Sequence, residues 1–589
     1  MIRLSLLAVY VLGFSAYAFK DWFRSLCALI LLMAVIEHPD MPKSILGIPG
    51  LNPWNVLLVP VVVAWFRARK AEGLTWDMPK HISVLLLLYL GVVLIGFARM
   101  VMNPGVMDDS VSSMVSEYLI NTVKWVIPCL LLFDGARTRP RMLLGLASVL
   151  GVYLLLGLQV IKWMPLSYAL DGESLSARSL KILTNEVGYH RVNISAMLAG
   201  ASWAIFATRP LALLPWHRVA IICATVAVAY AQALTAGRAG YVTWAAVGLI
   251  LCSLRWRRYL LGVPVLAVAV AILAPGVTQR MLEGFTASSR DVNVRLEAGR
   301  PQDLDGQPRG GPDAYTITAG RTVIWPYVIE RIQRNPLFGY GRQAMVRTGL
   351  TQFLFLNLGE AFGHPHNAYL ELLFDNGLFG FILIIPFYVI VLRRSISLFM
   401  DTGHPLFTSV GGVASALVLA LLLAGTGSQT FYPREGWLAM WCAIGLMLRV
   451  YQERERWAAA AVPAQPAVRR VAAGASAWMP ARPAGAFVRP AMHGTIDRAR
   501  TASSIEAEGD SLQDWIRGDK SANAAPAMAP ARAPVASQAA PRPSGWHSAG
   551  RTAAPNPGWR LPQTPVREFA PRPPLARRSD LAMPRRRDR

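Results

Sequence analysis

Three groups of residues in this chain have types suited to a substrate carrying phosphates. Arg238 sits among glycines in Gly237-Arg238-Ala239-Gly240. Arg321 opens the segment Arg321-Thr322-Val323-Ile324-Trp325, and His364-Pro365-His366-Asn367 precedes a long apolar run. A guanidinium holds phosphate oxygens through paired hydrogen bonds without losing its charge, and an imidazole exchanges protons near neutral pH. Arg238, Arg321 and His366 are therefore the catalytic candidates: two cations for a charged leaving group and one candidate general base.

Four neighbours are candidates for holding substrate. Arg342 follows the turn Gly339-Tyr340-Gly341, and Asn367, Tyr369 and Glu371 open the helix after His366. Arg342 and Arg347 lie near the turn, where surface charge is an equally good reading. Glu371 and Asp375 are four apart on one helix face; such a pair is an acid and base for glycosyl transfer or, more commonly, a solvated helix edge. His364 and His366 lack a Cys or Asp cluster beside them and make a poor metal site, so neither a metal nor another cofactor is expected.

The elements that position these residues are membrane helices. The chain is 53% hydrophobic and 16% charged, against about a quarter charged in soluble domains. Apolar runs near the ~20 residues needed to cross a bilayer recur up to about Val450. The expected fold is all-α, a polytopic transmembrane bundle of about 12–13 spans. Candidate spans lie near 2–19, 24–37, 51–66, 81–102, 118–134, 141–163, 191–208, 218–236, 239–254, 259–274, 367–392, 408–424 and 436–450. The first apolar stretch is followed by Lys20, Asp21 and Arg24 instead of a small-residue cleavage site, which argues against a signal peptide.

Orientation follows from basic residues in short loops, which prefer the cytoplasm. Arg67, Arg69 and Lys70, then Arg137, Arg139 and Arg141, then Arg255, Arg257 and Arg258, then Arg393 and Arg394 mark that side. The stretch Arg218 to Leu254 has basic residues at both ends and room for two crossings, so it is a hairpin whose tip is Gly237-Arg238-Gly240 on the outer side. An arginine there, against the charge preference, is a functional candidate. The next span delivers the chain into a long outer loop, 275–365, and loops of that length usually carry function. Within it, Ala287 to Gly320 is polar and interrupted by Gly and Pro, which favours flexibility. Arg321 to Gln333 has one apolar face and reads as a surface helix stopped by Asn335-Pro336. Gly377 and Gly380 allow close helix packing, and Lys124 lies inside an apolar span with no partner named by the sequence.

The five cysteines are scattered and read as small buried hydrophobes. From Tyr451 onward there are 22 Lys/Arg against 11 Asp/Glu, about half of the net charge of +24. This stretch, 451–589, is rich in Ala, Pro and Arg and cannot bury enough surface to fold alone. It reads as a disordered cytoplasmic tail held near anionic membrane lipids. No folded module accompanies the charge, so nucleic acid is not an expected partner.

Several segments resemble the O-antigen ligase and polysaccharide polymerase family of membrane glycosyltransferases. Leu234 to Gly240 is similar to its helix junction. Arg321 to Trp325 with Asn335-Pro336-Leu337-Phe338-Gly339-Tyr340-Gly341 is similar to its arginine and turn segment. His366 to Leu373 with Gly377-Leu378-Phe379-Gly380 is similar to its His-Asn block. The strong likeness spans 234–392, within a transmembrane domain of 1–450. Two departures stand out: Ala236-Gly237 replaces a small hydroxyl residue, and the polar stretch before Gly320 looks like an insertion. The resemblance implies a multi-pass protein of the bacterial inner membrane and a metal-independent transferase with its loop in the periplasm. Its donor would be a glycan on undecaprenyl pyrophosphate and its acceptor a hydroxyl on lipid A-core or a similar lipid or protein. Arg238 and Arg321 would bind the pyrophosphate; His366 would be the base; Asn367 would orient His366 or cap the helix.

Repeat-unit polymerisation and protein O-glycosylation share these motifs. A transporter or flippase predicts internal repeats and midplane charges, whereas here charges gather at the outer side. A scaffold acting through the basic tail would lose its role on tail removal, while an enzyme would not.

Overall fold

The computed structural model describes residues 2–45, 50–73, 75–282, 321–358, 362–427 and 430–460. The polar stretch 287–320 and the tail beyond 460 lie outside the described residues. Among the described residues the protein is all-helical, without a β-strand. Helix occupies every expected span. Six helices are long and apolar enough to cross a membrane: Lys80–Met102, Val111–Gly135, Arg139–Trp163, Pro215–Leu234, Ala368–Met400 and Pro405–Ala424. Arg257–Leu273 with Pro275–Leu282 makes a seventh if this pair, bent by 104°, counts as one. The others among the described residues, such as Ile2–Tyr17, Trp22–Leu32 and Arg191–Ala207, are shorter helices.

Helix ends sort to two poles. At one pole Arg69 and Arg137 pair with Asp134 at 2.8 and 2.9 Å, Arg141 pairs with Glu72 at 2.6 Å, and Arg449 meets Asp77 at 2.7 Å. Arg255 donates to the Phe399 carbonyl at 2.6 Å, and Arg454 lies 3.6 Å from Asp401. The basic clusters read from the sequence thus converge through packing. Arg3 pairs with Asp40 at 3.1 Å at the opposite pole, and so the first helix starts there. The last helix, Leu438–Ala460, runs past Tyr451, where the tail was read to begin; its final turns complete the Asp77 cluster through Arg456.

The centre is Pro405–Ala424, rich in Gly, Ala and Ser. It packs against Arg191–Ala207 and Ala368–Met400. Small residues let helix backbones approach where lipid supplies no hydrophobic drive between helices. Four cysteines are buried as expected, while Cys223 is exposed on a helix face.

The Ala368–Met400 helix is two helices joined at Gly377, where φ is 63° and ψ −168°. A Cβ there would lie 2.4 Å from the Leu337 backbone, so only glycine fits. Leu378 N and Phe379 N then donate to the carbonyls of Pro336 and Leu337 at 2.8 and 3.0 Å. The turn after Asn335 replaces the helix's own hydrogen bonds at the break.

Candidate active site

The pole opposite the Asp77 cluster carries the candidate residues. Pro215–Leu234 and Arg238–Leu254 form the expected hairpin, with Ala236 in the left-handed region at φ 55°. Its tip presses on Ser195 of the Arg191–Ala207 helix: a Cβ on Gly237 would lie 2.5 Å from the Ser195 Cβ. The Ser195 hydroxyl donates to the Gly237 carbonyl at 3.1 Å, so the hydroxyl missing beside Arg238 in sequence comes from a neighbouring helix. Arg238 is the first residue of its helix and is half-buried.

Arg321 starts the helix Arg321–Arg334, as its apolar face predicted. Ile324 and Val328 are fully buried with Met345, Leu354, Phe362 and Phe374 in a small separate core. Trp325 Nε1 donates to the Pro365 carbonyl at 3.0 Å, which ties this helix to the histidine segment. A methyl group on Gly427 would sit 3.2 Å from Ala239 and 3.7 Å from Arg321 Nη1. Gly427 thereby marks the place where Arg321 reaches the hairpin tip.

His366 has φ 52°, a conformation unfavourable for a residue with a Cβ and held here by its surroundings. Its backbone N–H donates to His364 Nδ1 at 3.2 Å, and the two rings lie 4.1 Å apart. Asn367 caps the following helix, its side chain accepting from Tyr369 N at 3.0 Å and Leu370 N at 3.2 Å. Capping is thus the role of Asn367 in the structure. Tyr369 is committed to packing: its hydroxyl donates to the Leu422 carbonyl at 2.9 Å, and its ring stands on Phe431 at 4.9 Å.

Electrostatics around these groups is strongly cationic. Burial pushes the His366 imidazole down to about 3, helped by His364, Arg321 and His190. Burial followed by Arg434 and Arg321 brings His364 to about 4. The Arg321 guanidinium is lowered by burial and by Arg238, and His190 is lowered by burial, Arg191 and Arg434. The imidazoles are therefore neutral at physiological pH among permanently charged arginines. His190 and Arg434 were not singled out in the sequence. Both lie in connections that topological parity assigns to the same pole, which was the available signal.

Arg342 lies on a neighbouring wall, its guanidinium 3.7 Å from the Tyr432 ring centre. Tyr432 donates to Asp375 Oδ2 at 2.9 Å, while Asp375 Oδ1 accepts from Ala344 N at 3.1 Å. Asp375 is buried and holds the turn, so the solvated-edge reading fails for it: the 430–435 connection covers that face. Glu371, one turn earlier, is partly exposed and hydrogen-bonds Thr430. Arg347 clamps backbone, donating to the carbonyls of Asn103 at 2.7 Å and Tyr340 at 2.8 Å, and so is not free surface charge. Lys124 lies over Trp125 at 4.3 Å and Trp54 at 5.6 Å. Among the described residues no cluster of three or more His, Cys, Asp or Glu is arranged to hold a metal.

Residues 220–385 match the family described as O-Antigen ligase. This segment contains the hairpin tip, Arg321, the Asn335–Gly341 turn, His366 and the helix break at Gly377. No curated protein matches the chain.

Proposed function

We propose, from the premise that residues 220–385 belong to the O-antigen ligase family, that this membrane enzyme transfers a glycan from undecaprenyl pyrophosphate to an acceptor hydroxyl, with lipid A-core the acceptor class. The observation that carries the reading is the meeting of Arg238 and Arg321 beside the strained, half-buried His366 at one pole. The basic pole is cytoplasmic by the charge preference of short loops, which puts the site in the periplasm of a bacterial inner-membrane protein.

In this reading the acceptor oxygen attacks the anomeric carbon of the donor. The bond from that carbon to the pyrophosphate oxygen breaks, and the electron pair leaves with undecaprenyl pyrophosphate. Arg238 and Arg321 stabilise the charge developing there, and His366 takes the acceptor proton. The donor's negative charge also opposes Arg321, which together with burial depresses His366, so donor binding raises the basicity of the imidazole as the reaction needs it. His364 and Trp325, through the Pro365 carbonyl, hold His366 in place. Arginine forks here supply the phosphate recognition and charge stabilisation.

The test is the glycan profile of a deletion strain carrying wild type, His366→Ala or Arg321→Gln. Loss of surface-attached polymer with long polymer remaining on the lipid carrier, in the deletion and both variants, supports ligation. Single repeat units alone would make the protein a polymerase. A normal profile with His366→Ala would overturn the catalytic assignment.

A further inference from the structure

Beside the cationic cluster lies a chamber of about 990 Å³, near the upper end of ligand-site volumes. His364 forms part of its wall and its ring lies 4.1 Å from that of His366, and Arg434, also in the wall, acts on His364, whereas Arg238 and Arg321 do not line it. The chamber therefore approaches the reacting centre from a second side. Most of its wall comes from outside residues 220–385: the connection around Glu37, the distorted part of the Val111–Gly135 helix, and the 430–435 connection. A π-type turn at Val115–Ile120 and a 3₁₀ turn at Lys124–Val126 bend that helix, a distortion frequent at functional sites.

The wall has the chemistry of a sugar site. Trp125 is 4% exposed, and its Nε1–H has no hydrogen-bond partner among the described residues; nor do Arg342 Nε and Nη1. Buried donors are ordinarily paired, so three donors on one cavity wall point to a ligand rich in acceptor oxygens. Glu37, Glu371 and Glu435 offer carboxylates to hydroxyl groups. These carboxylates are interspersed with Lys124, Arg342 and Arg434, a mixed lining that suits a polyhydroxyl ligand better than a pyrophosphate.

Resting on the transferase reading above, we infer that this chamber binds the saccharide of the acceptor, with Trp125 and Arg342 as specificity-determining residues that deliver its hydroxyl past His364 to His366. The wall, most of it outside the family segment, then decides which acceptor sugar is used.

The experiment uses the full chain in nanodiscs, lipid-linked donor from the same cells, and lipid A-core isolated from the deletion strain. Acceptor and donor KM are measured for wild type, Trp125→Phe, Arg342→Lys and Glu371→Gln, with His366→Ala as reference. A rise in acceptor KM of about tenfold in Trp125→Phe and Arg342→Lys, with donor KM within about twofold, is the expected result; tenfold corresponds to about 1.4 kcal/mol. Glu371→Gln, nearly isosteric, shows the same split if either other variant folds poorly. Unchanged acceptor KM in all folded variants, with His366→Ala inactive, overturns the chamber and leaves the transferase reading standing. Equal rises in both KM values mark general distortion and also overturn it. Full transfer by His366→Ala removes the reading on which the inference rests.

Discussion

Replacing Tyr432 by Phe removes one oxygen and tests whether the 430–435 connection holds the site together. That hydroxyl donates to Asp375 Oδ2 at 2.9 Å and accepts from Asn376 Nδ2 at 2.6 Å. The phenyl ring preserves the stack under Arg342, whose guanidinium lies 3.7 Å away, so the change isolates the two hydrogen bonds. One goes to a charged group, about 1.5–3 kcal/mol, and one is neutral, about 0.5–1.5 kcal/mol. Their sum overlaps because they share a network, giving about 2–4 kcal/mol. Asp375 also receives Ala344 N at 3.1 Å, and its carbonyl receives Gly341 N at 2.6 Å, so its displacement moves the turn on which Arg342 sits. Large proteins shift by roughly 1–2 °C per kcal/mol, by extension of the size trend. The expected loss in apparent melting temperature is therefore about 2–8 °C, read by thermal unfolding in detergent with tryptophan emission, together with reduced transfer. A shift under about 1 °C with unaltered transfer would show that the hydroxyl does not hold the half-helix, and the account of Asp375 would fail with it.

At the other pole, Arg449 is fully buried and meets Asp77 at 2.7 and 2.8 Å. Arg449→Ala removes a buried guanidinium, while Asp77 keeps Arg456 and Arg137, so the lost charged hydrogen bonds should cost about 1.5–3 kcal/mol, seen as a lower melting temperature at equal expression. Gly377→Ala should abolish folded protein in a detergent-solubilised size-exclusion profile, since its φ is 63° and the new methyl would lie 2.4 Å from backbone; a wild-type profile would contradict the kink geometry. The pH dependence of kcat/KM, which reports the free enzyme, should show no acid limb near 6.5. His366 titrates at about 3 and His364 at about 4, so the base form dominates above those values and activity falls only as pH descends through them. A limb centred near 6.5 would mean that His366 is neither buried nor crowded by cations as described.

The two poles were legible because membrane helices alternate in direction. Once Arg137, Arg255 and Arg394 share one side, Arg238 and the 275–365 loop must share the other, whatever the loop's fold. The hairpin tip was legible for the same reason, with Gly237 and Gly240 marking the reversal. His190 and Arg434 had no such mark, since nothing in spacing connects two residues so far apart until Arg191–Ala207 packs on the central helix. Asp375 was misread because an i, i+4 carboxylate pair looks the same on a wet helix edge as under a covering loop. Only the position of Tyr432 distinguishes them.

The break at Gly377 explains how one apolar segment carries both a membrane anchor and a polar site. Backbone that leaves helical geometry within a membrane protein survives only where it is buried in protein or lines a wet cavity, because lipid offers it no partners. Here the Asn335–Gly341 turn supplies the partners at Gly377, and Arg99 Nη2 in turn donates to the Gly339 carbonyl at 2.7 Å. The half-helix before the break can then hold Glu371, Asp375 and Asn376 beside the chamber, while the half after it is apolar from Leu378 to Leu392. Had the helix run straight, its polar turns would lie along the same axis as the span and share its depth. The glycine turns polar sequence away from that axis, and the residues fixing its angle, Arg99 and the Pro336–Leu337 carbonyls, act on His366 without touching it. Arg99→Gln should therefore lower transfer while leaving the histidine segment's own contacts intact. A wild-type rate in Arg99→Gln would show that the turn holds its angle through the Pro336 and Leu337 hydrogen bonds alone.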